Sequence, residues 1–109
     1  MTIELPAQVS RYFAAANDRQ SDVVADCFTE TATVRDEGHD IAGRAAIRAW
    51  AEESGSKYKF HADVRSKATE GDLLVVTAHL TGDFPGNPID LRYHFGLEGE
   101  QIASLVVTP

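Results

Sequence analysis

The apolar residues of this chain change period once, and that change constrains the fold more than any other feature. Before Gly55 they recur at three- and four-residue steps, and after it they alternate. Leu5, Val9, Tyr12, Phe13 and Ala16 form one helical stripe. Pro6 suits its first turn, where a missing N–H costs nothing, and Asn17-Asp18 closes it. Val24, Cys27 and Phe28 form the inward edge of a second, shorter helix, with Ser21 as N-cap and Asp22 in the first turn. Ala46, Ile47 and Trp50 belong to a third helix, capped by Gly43 and ended by Ser54-Gly55-Ser56. Beyond it Tyr58, Phe60, Ala62 and Val64 alternate with Lys59, His61, Asp63 and Arg65, as in a half-buried strand. Residues 73–80 are apolar and β-branched enough for a central strand, and 82–88 form a loop rich in breakers. Ile89, Leu91, Tyr93, Phe95 and Leu97 alternate with Asp90, Arg92, His94 and Gly96, and 102–107 form the last strand. Helices first and antiparallel strands after predict an α+β fold with the helices on one sheet face.

A chain of 109 residues suffices for one domain, 1–109, with a single core, and is small enough to gain from a partner subunit. The formal net charge is −7, with acids spread along the sequence. With no basic stripe, neither nucleic acid nor an anionic membrane is an expected partner. No apolar run is long enough to cross a bilayer. Cys27 is the only cysteine, so no internal disulfide can form and a reducing compartment is the simpler expectation. The N-terminal MTIELPAQ has neither a basic nor an apolar signal region, so a cytoplasmic location is expected. No G-x-G-x-x-G, P-loop or nucleophile elbow occurs, so no cofactor is expected. His39, His61, His79 and His94 lack ligand spacing, and no metal is expected either.

The chemistry concentrates in 32–50, read as a short strand over 32–36, a polar corner with Gly38, and the third helix. Val34 and Asp36 lie two apart and share a strand face. A carboxylate on the side of a core valine must find a partner or become reactive. Asp36 either pairs with Arg44 or Arg48 and holds the corner, or acts as a base. Tyr12 has its ring in the buried stripe, and its hydroxyl needs either a backbone carbonyl or a ligand. Cys27 reads as a small buried hydrophobe. His39 is either a solvated loop residue or an acid–base group oriented by Asp36 or Asp40. The outer sheet face carries Val75, Thr77, His79, Asp90, Arg92 and His94, a mix that suits solvent or a polar dimer interface.

Three segments in order, RYFAAAN (11–17), ATVRD (32–36) and GRAAIRAW (43–50), together with the strand meander, resemble the nuclear transport factor 2-like superfamily. Within it the SnoaL-like and ketosteroid isomerase-like branch is the most similar. The resemblance implies a cone-shaped α+β barrel, a curved, mostly antiparallel sheet wrapped around the N-terminal helices, with a pocket inside and a homodimer through the outer sheet face. It implies Tyr12 as an oxyanion donor and Asp36 as the general base. Steroid isomerases place a protonated aspartate before a late His-Phe pair; here His94-Phe95 is preceded by Tyr93, so a phenol stands where those enzymes have a carboxylic acid. The corner after Asp36 is also shorter than theirs. A pocket lined by Trp50, Phe60, Leu80 and Phe95 would raise the carboxylate's pKa by desolvation. The expected activity is that of a cofactor-free isomerase or polyketide cyclase, abstracting a proton beside the carbonyl of a small apolar ligand. The alternatives are a binding or dimerisation domain without turnover and a dehydratase-like enzyme using His39. Fold does not choose among them.

Overall fold

The computed structural model describes residues 3–109. Three helices, α1 (Ala7–Asn17), α2 (Ser21–Asp26) and α3 (Arg44–Tyr58), accompany six strands: β1 (Phe28–Asp36), β2 (His39–Ala42), β3 (His61–Glu70), β4 (Leu73–Thr81), β5 (Ile89–Glu98) and β6 (Gln101–Thr108). The strands form one curved, unclosed sheet in the order β2-β1-β6-β5-β4-β3. All neighbours are antiparallel except β1 and β6, which run parallel. Register shifts near Val64 in β3 and Gly96 in β5 bend the strands, as bulges do. The architecture is the α+β fold expected from the change of period and is consistent with the cone that the resemblance implies.

The core lies between the helices and the inner sheet face. Phe28, Phe95, Ile47, Ile102, Leu105 and Val9 are among its largest fully buried side chains. Tyr12 and Phe13 set their rings edge-on to Phe95, with centroids 5.6 and 5.9 Å apart. Asn17 ties α1 to the sheet rim: its amide donates to the Ala62 carbonyl at 2.9 Å and accepts from the Ala62 N–H at 2.8 Å.

Four local expectations change. Strand β1 begins at Phe28 rather than at 32, so Phe28 leaves the edge of α2 for the sheet, where it is fully buried. The polar corner is a β-hairpin: Glu37 (φ 52°) and Gly38 (φ 79°) turn the chain so that Asp36 faces His39 across β1 and β2. Two successive positive φ angles match the twist of flanking strands, which is why two-residue hairpins use them. Helix α3 runs through Ser54-Gly55-Ser56 to Tyr58. Gly55 is buried inside the helix, and a Cβ there would lie 3.1 Å from Arg19 Cδ, so this glycine answers to close packing and does not mark a stop. Tyr58 therefore belongs to the helix, and β3 starts at His61. The outer face is as expected for His79 and His94: His79 Nδ1 lies 2.7 Å from Asp90 Oδ1, and His94 Nε2 lies 3.1 Å from Thr108 Oγ1.

Candidate active site

Strand register sets the site. Asp36 on β1 is opposite Val107 on β6, which is opposite Tyr93 on β5. Asp36 and Tyr93 therefore face the same side, two strands apart, about 10 Å between backbones at ordinary strand spacing. That gap lies in a cavity of about 350 Å³, lined by Tyr12, Asp36, Trp50, Phe60, Leu80 and Tyr93 among others. Helix α1 contributes Tyr12, whose ring centroid is 6.3 Å from that of Tyr93. Helix α3 contributes Trp50, Ser54 and Tyr58, one residue per turn along one face. The 82–88 loop closes the side: Asp83 N–H donates to the Tyr58 carbonyl at 2.7 Å, and Phe84 and Pro85 join the lining.

Among the described residues no arginine pairs with Asp36. Arg44 bonds the Phe28 carbonyl at 2.9 Å, and Arg48 pairs with Asp22 at 3.3 Å and Glu52 at 3.7 Å. The corner-holding ion pair is thus replaced by a different partner, the Trp50 indole, whose N–H donates to Asp36 Oδ2 at 3.0 Å. Burial pushes the Asp36 carboxyl above its ordinary value; the Trp50 bond opposes this, Glu37 adds to it, and His39 opposes it slightly. Both phenols are pushed up, first by burial, and both also feel the Asp36 charge. They stay protonated, so they are hydrogen-bond donors at any ordinary pH. Neither hydroxyl has a bonding partner among the described residues, yet neither is a sealed, orphaned polar atom. Both tyrosines line the cavity, and Tyr12 also borders a smaller pocket of about 20 Å³ beside α2.

The remaining candidates are dispersed. Trp50, Phe60 and Leu80 line the cavity, but Phe95 lies beneath it, fully buried, stacked 6.3 Å from Tyr93. His39 is exposed and lines a neighbouring surface depression of about 530 Å³ rather than the cavity, although Asp36 borders both. Cys27 is buried, its thiol bonded to the Val23 carbonyl at 3.3 Å, and burial raises its pKa, so it is not a thiolate nucleophile. Sequence reasoning did not name Glu37, Ser54, Tyr58, Phe84, Pro85, Ile89, Leu91 or Val107 as lining residues. Ile89 and Leu91 carried a signal in their phase with Tyr93, and Tyr58 in its i+4 and i+8 spacing from Ser54 and Trp50, which the reading of Gly55 as a stop hid. Among the described residues no helix is long and apolar enough to cross a membrane.

Three helices over a curved sheet with a cavity between them define a nuclear transport factor 2-like, ketosteroid isomerase-like fold. The chain belongs to the SnoaL-like domain family, whose model matches residues 9–104. It is similar to a protein of Sinorhizobium meliloti proposed as a polyketide cyclase: 32% identical, 95% of each chain covered, TM-score 0.90. It is also similar to a Catenulispora acidiphila protein of ketosteroid isomerase-like fold, solved in complex with trimethylamine. That likeness is 20% identity over 97% of this chain and 87% of the other, with a TM-score of 0.85. A nuclear transport factor 2-like protein of Cytophaga hutchinsonii is 19% identical, with 99% and 91% covered and a TM-score of 0.78. No curated protein matches.

Proposed function

We propose that the protein is a cofactor-free isomerase or cyclase that abstracts a proton beside the carbonyl of a small, largely apolar ligand. The observation that carries this reading is one cavity lined at once by a partly desolvated carboxylate and two phenols with free hydroxyls. With Oδ2 held by Trp50, Asp36 Oδ1 is the oxygen left to act as base. The α C–H bond breaks, its proton goes to Oδ1, and its electron pair makes the enolate. Tyr12 and Tyr93 donate to the enolate oxygen, where charge develops in the transition state. Return of the proton to another carbon is isomerisation; attack of the enolate carbon on a second carbonyl is ring closure. Apolar walls from Leu80, Ile89, Leu91 and Val107 keep the ligand and Asp36 out of bulk water.

The test is deuterium exchange beside the carbonyl of a small cyclic enone. Asp36→Asn should slow it by about 10²–10⁴-fold, the usual worth of a positioned base. Equal rates for wild type and variant would remove Asp36 from the chemistry.

A second reading, a pocket that binds without turnover, is favoured by one feature: the Trp50 bond stabilises the carboxylate and so lowers its basicity. Wild-type binding with no exchange would select it. A dehydratase-like role for His39 has less support, because its side chain does not line the cavity. A homodimer through the outer sheet face is part of the proposal. The paired groups there, His79–Asp90 and Arg92–Glu70, suit a polar interface, and sedimentation should give twice the chain mass.

A further inference from the structure

The charge of the cavity lining is one-sided. Among the described residues six aromatics border it, Tyr12, Trp50, Tyr58, Phe60, Phe84 and Tyr93, with two carboxylates, Asp36 and Glu37, and no lysine, arginine or histidine. The carboxylates differ in what already holds them. Asp36 is partly buried and bonded by Trp50. Glu37 is exposed, held in the hairpin turn, and in no ion pair among the described residues. Glu37 and Tyr58 border both the cavity and the neighbouring depression, so they stand on the rim the two share. Phe84 stands edge-on to Tyr58, with centroids 6.1 Å apart and planes at 85°. This rim offers a carboxylate and two nearly perpendicular π systems, the chemistry that recognises an ammonium ion. Lys57, which lines the depression, has its Nζ 5.1 Å from the Tyr58 ring centroid. At the other end Tyr12 and Tyr93 line the cavity, their hydroxyls without a bonding partner among the described residues and so able to donate to a carbonyl oxygen.

We propose that the cavity takes a small carbonyl compound bearing a tertiary or quaternary ammonium group. Its carbonyl points to Tyr12 and Tyr93, and its ammonium lies on the rim by Glu37, Tyr58 and Phe84. This deepens, and rests on, the carbonyl-directed reading of the site given above. Among the described residues of the lining a carboxylate ligand finds no lysine, arginine or histidine and meets Asp36 and Glu37, in a chain of net charge −7. The volume, at the low end of the roughly 300–1,000 Å³ usual for ligand pockets, suits one or two rings.

The experiment compares three 4-substituted cyclohexanones: trimethylammonio, tert-butyl and carboxylate. The first two have nearly the same shape and differ in charge. Trp50 is the only tryptophan and lines the cavity, so its fluorescence reports occupancy directly. The ammonium ketone should bind about tenfold more tightly than the tert-butyl ketone, and the carboxylate more weakly than either. Glu37→Gln should cut the ammonium advantage to about twofold or less. Equal affinities for the first two, tightest binding of the carboxylate, no binding of any, or an advantage untouched by Glu37→Gln would overturn the inference. Exchange beside the carbonyl is read separately in the same samples. Ammonium preference without exchange keeps this inference and removes the catalytic reading; exchange without preference does the reverse.

Discussion

Tyr93 and Phe95 are two residues apart on β5, share the inner sheet face, and have nearly parallel rings 13° from coplanar. One lines the cavity and the other is sealed in the core. The strand and α1 treat them alike; their position along β5 does not. Phe13 and Tyr12 of α1 stand edge-on to both rings, Phe13 at 5.0 Å from Tyr93 and 5.9 Å from Phe95, and only Tyr93 also reaches the cavity. The sheet end near Phe28, Phe95, Ile102 and Leu105 is filled, and the end near Asp36, Tyr93 and Val107 is hollow. Alternation along a strand decides side, and position along the strand decides depth. A filled end stabilises by excluding water from every methylene, while a hollow end gives up that gain and keeps polar groups available.

Substitutions at the two ends should separate stability from chemistry. Phe95→Ala should have the largest effect on stability, a loss of about 3–5 kcal/mol by urea unfolding, because the surrounding rings cannot collapse into the space. A loss under about 1 kcal/mol would mean the filled end is as loose as the hollow one. Tyr93→Phe removes a hydroxyl with no protein partner, so stability should hardly move. Exchange should fall by about 10²-fold, as when one oxyanion donor is lost. If stability fell and exchange did not, the hollow end would be core in disguise.

The smallest effect is a shift in pH. Asp36's folded pKa is raised above the ordinary carboxylate value of 3.8. Protonation therefore favours the folded chain. Asp36's contribution to stability is full below that value and is lost as pH rises through the folded pKa. Activity has the opposite slope, since a base must be ionised: kcat/KM should fall as pH drops through the same folded pKa. Trp50→Phe deletes the bond that favours the anion and should move this acid limb to higher pH, measurable from the pH–rate profile. A shift to lower pH would show that the indole acts on Asp36 chiefly by excluding water, not by its N–H.

Much of the architecture was legible because it depends on period alone. The alternation of Ile89, Leu91 and Tyr93 set the inner face of β5, and the spacing of Val34 and Asp36 put a carboxylate on the same side as the core. What escaped depended on neighbours remote in sequence. Gly55 reads as a helix stop until Arg19 is seen packed against it. Glu37-Gly38 lacks the asparagine or aspartate that usually announces a two-residue hairpin turn, so β2 looked like a corner. Trp50 counted as an apolar wall, and only the hairpin's geometry brings its N–H to Asp36 rather than leaving that carboxylate to Arg44 or Arg48. Phe95 had the right face and the wrong depth, a distinction no strand pattern contains.

The bond pair between Asn17 and Ala62 has an effect well away from the cavity. β3 is the last strand on its side of the sheet, and Ala62 is near its start. The amide of Asn17 occupies the donor and acceptor that another molecule's strand would need there. A side chain thus blocks edge-to-edge growth at this point, a safeguard against aggregation that costs the chain one residue at the end of a helix.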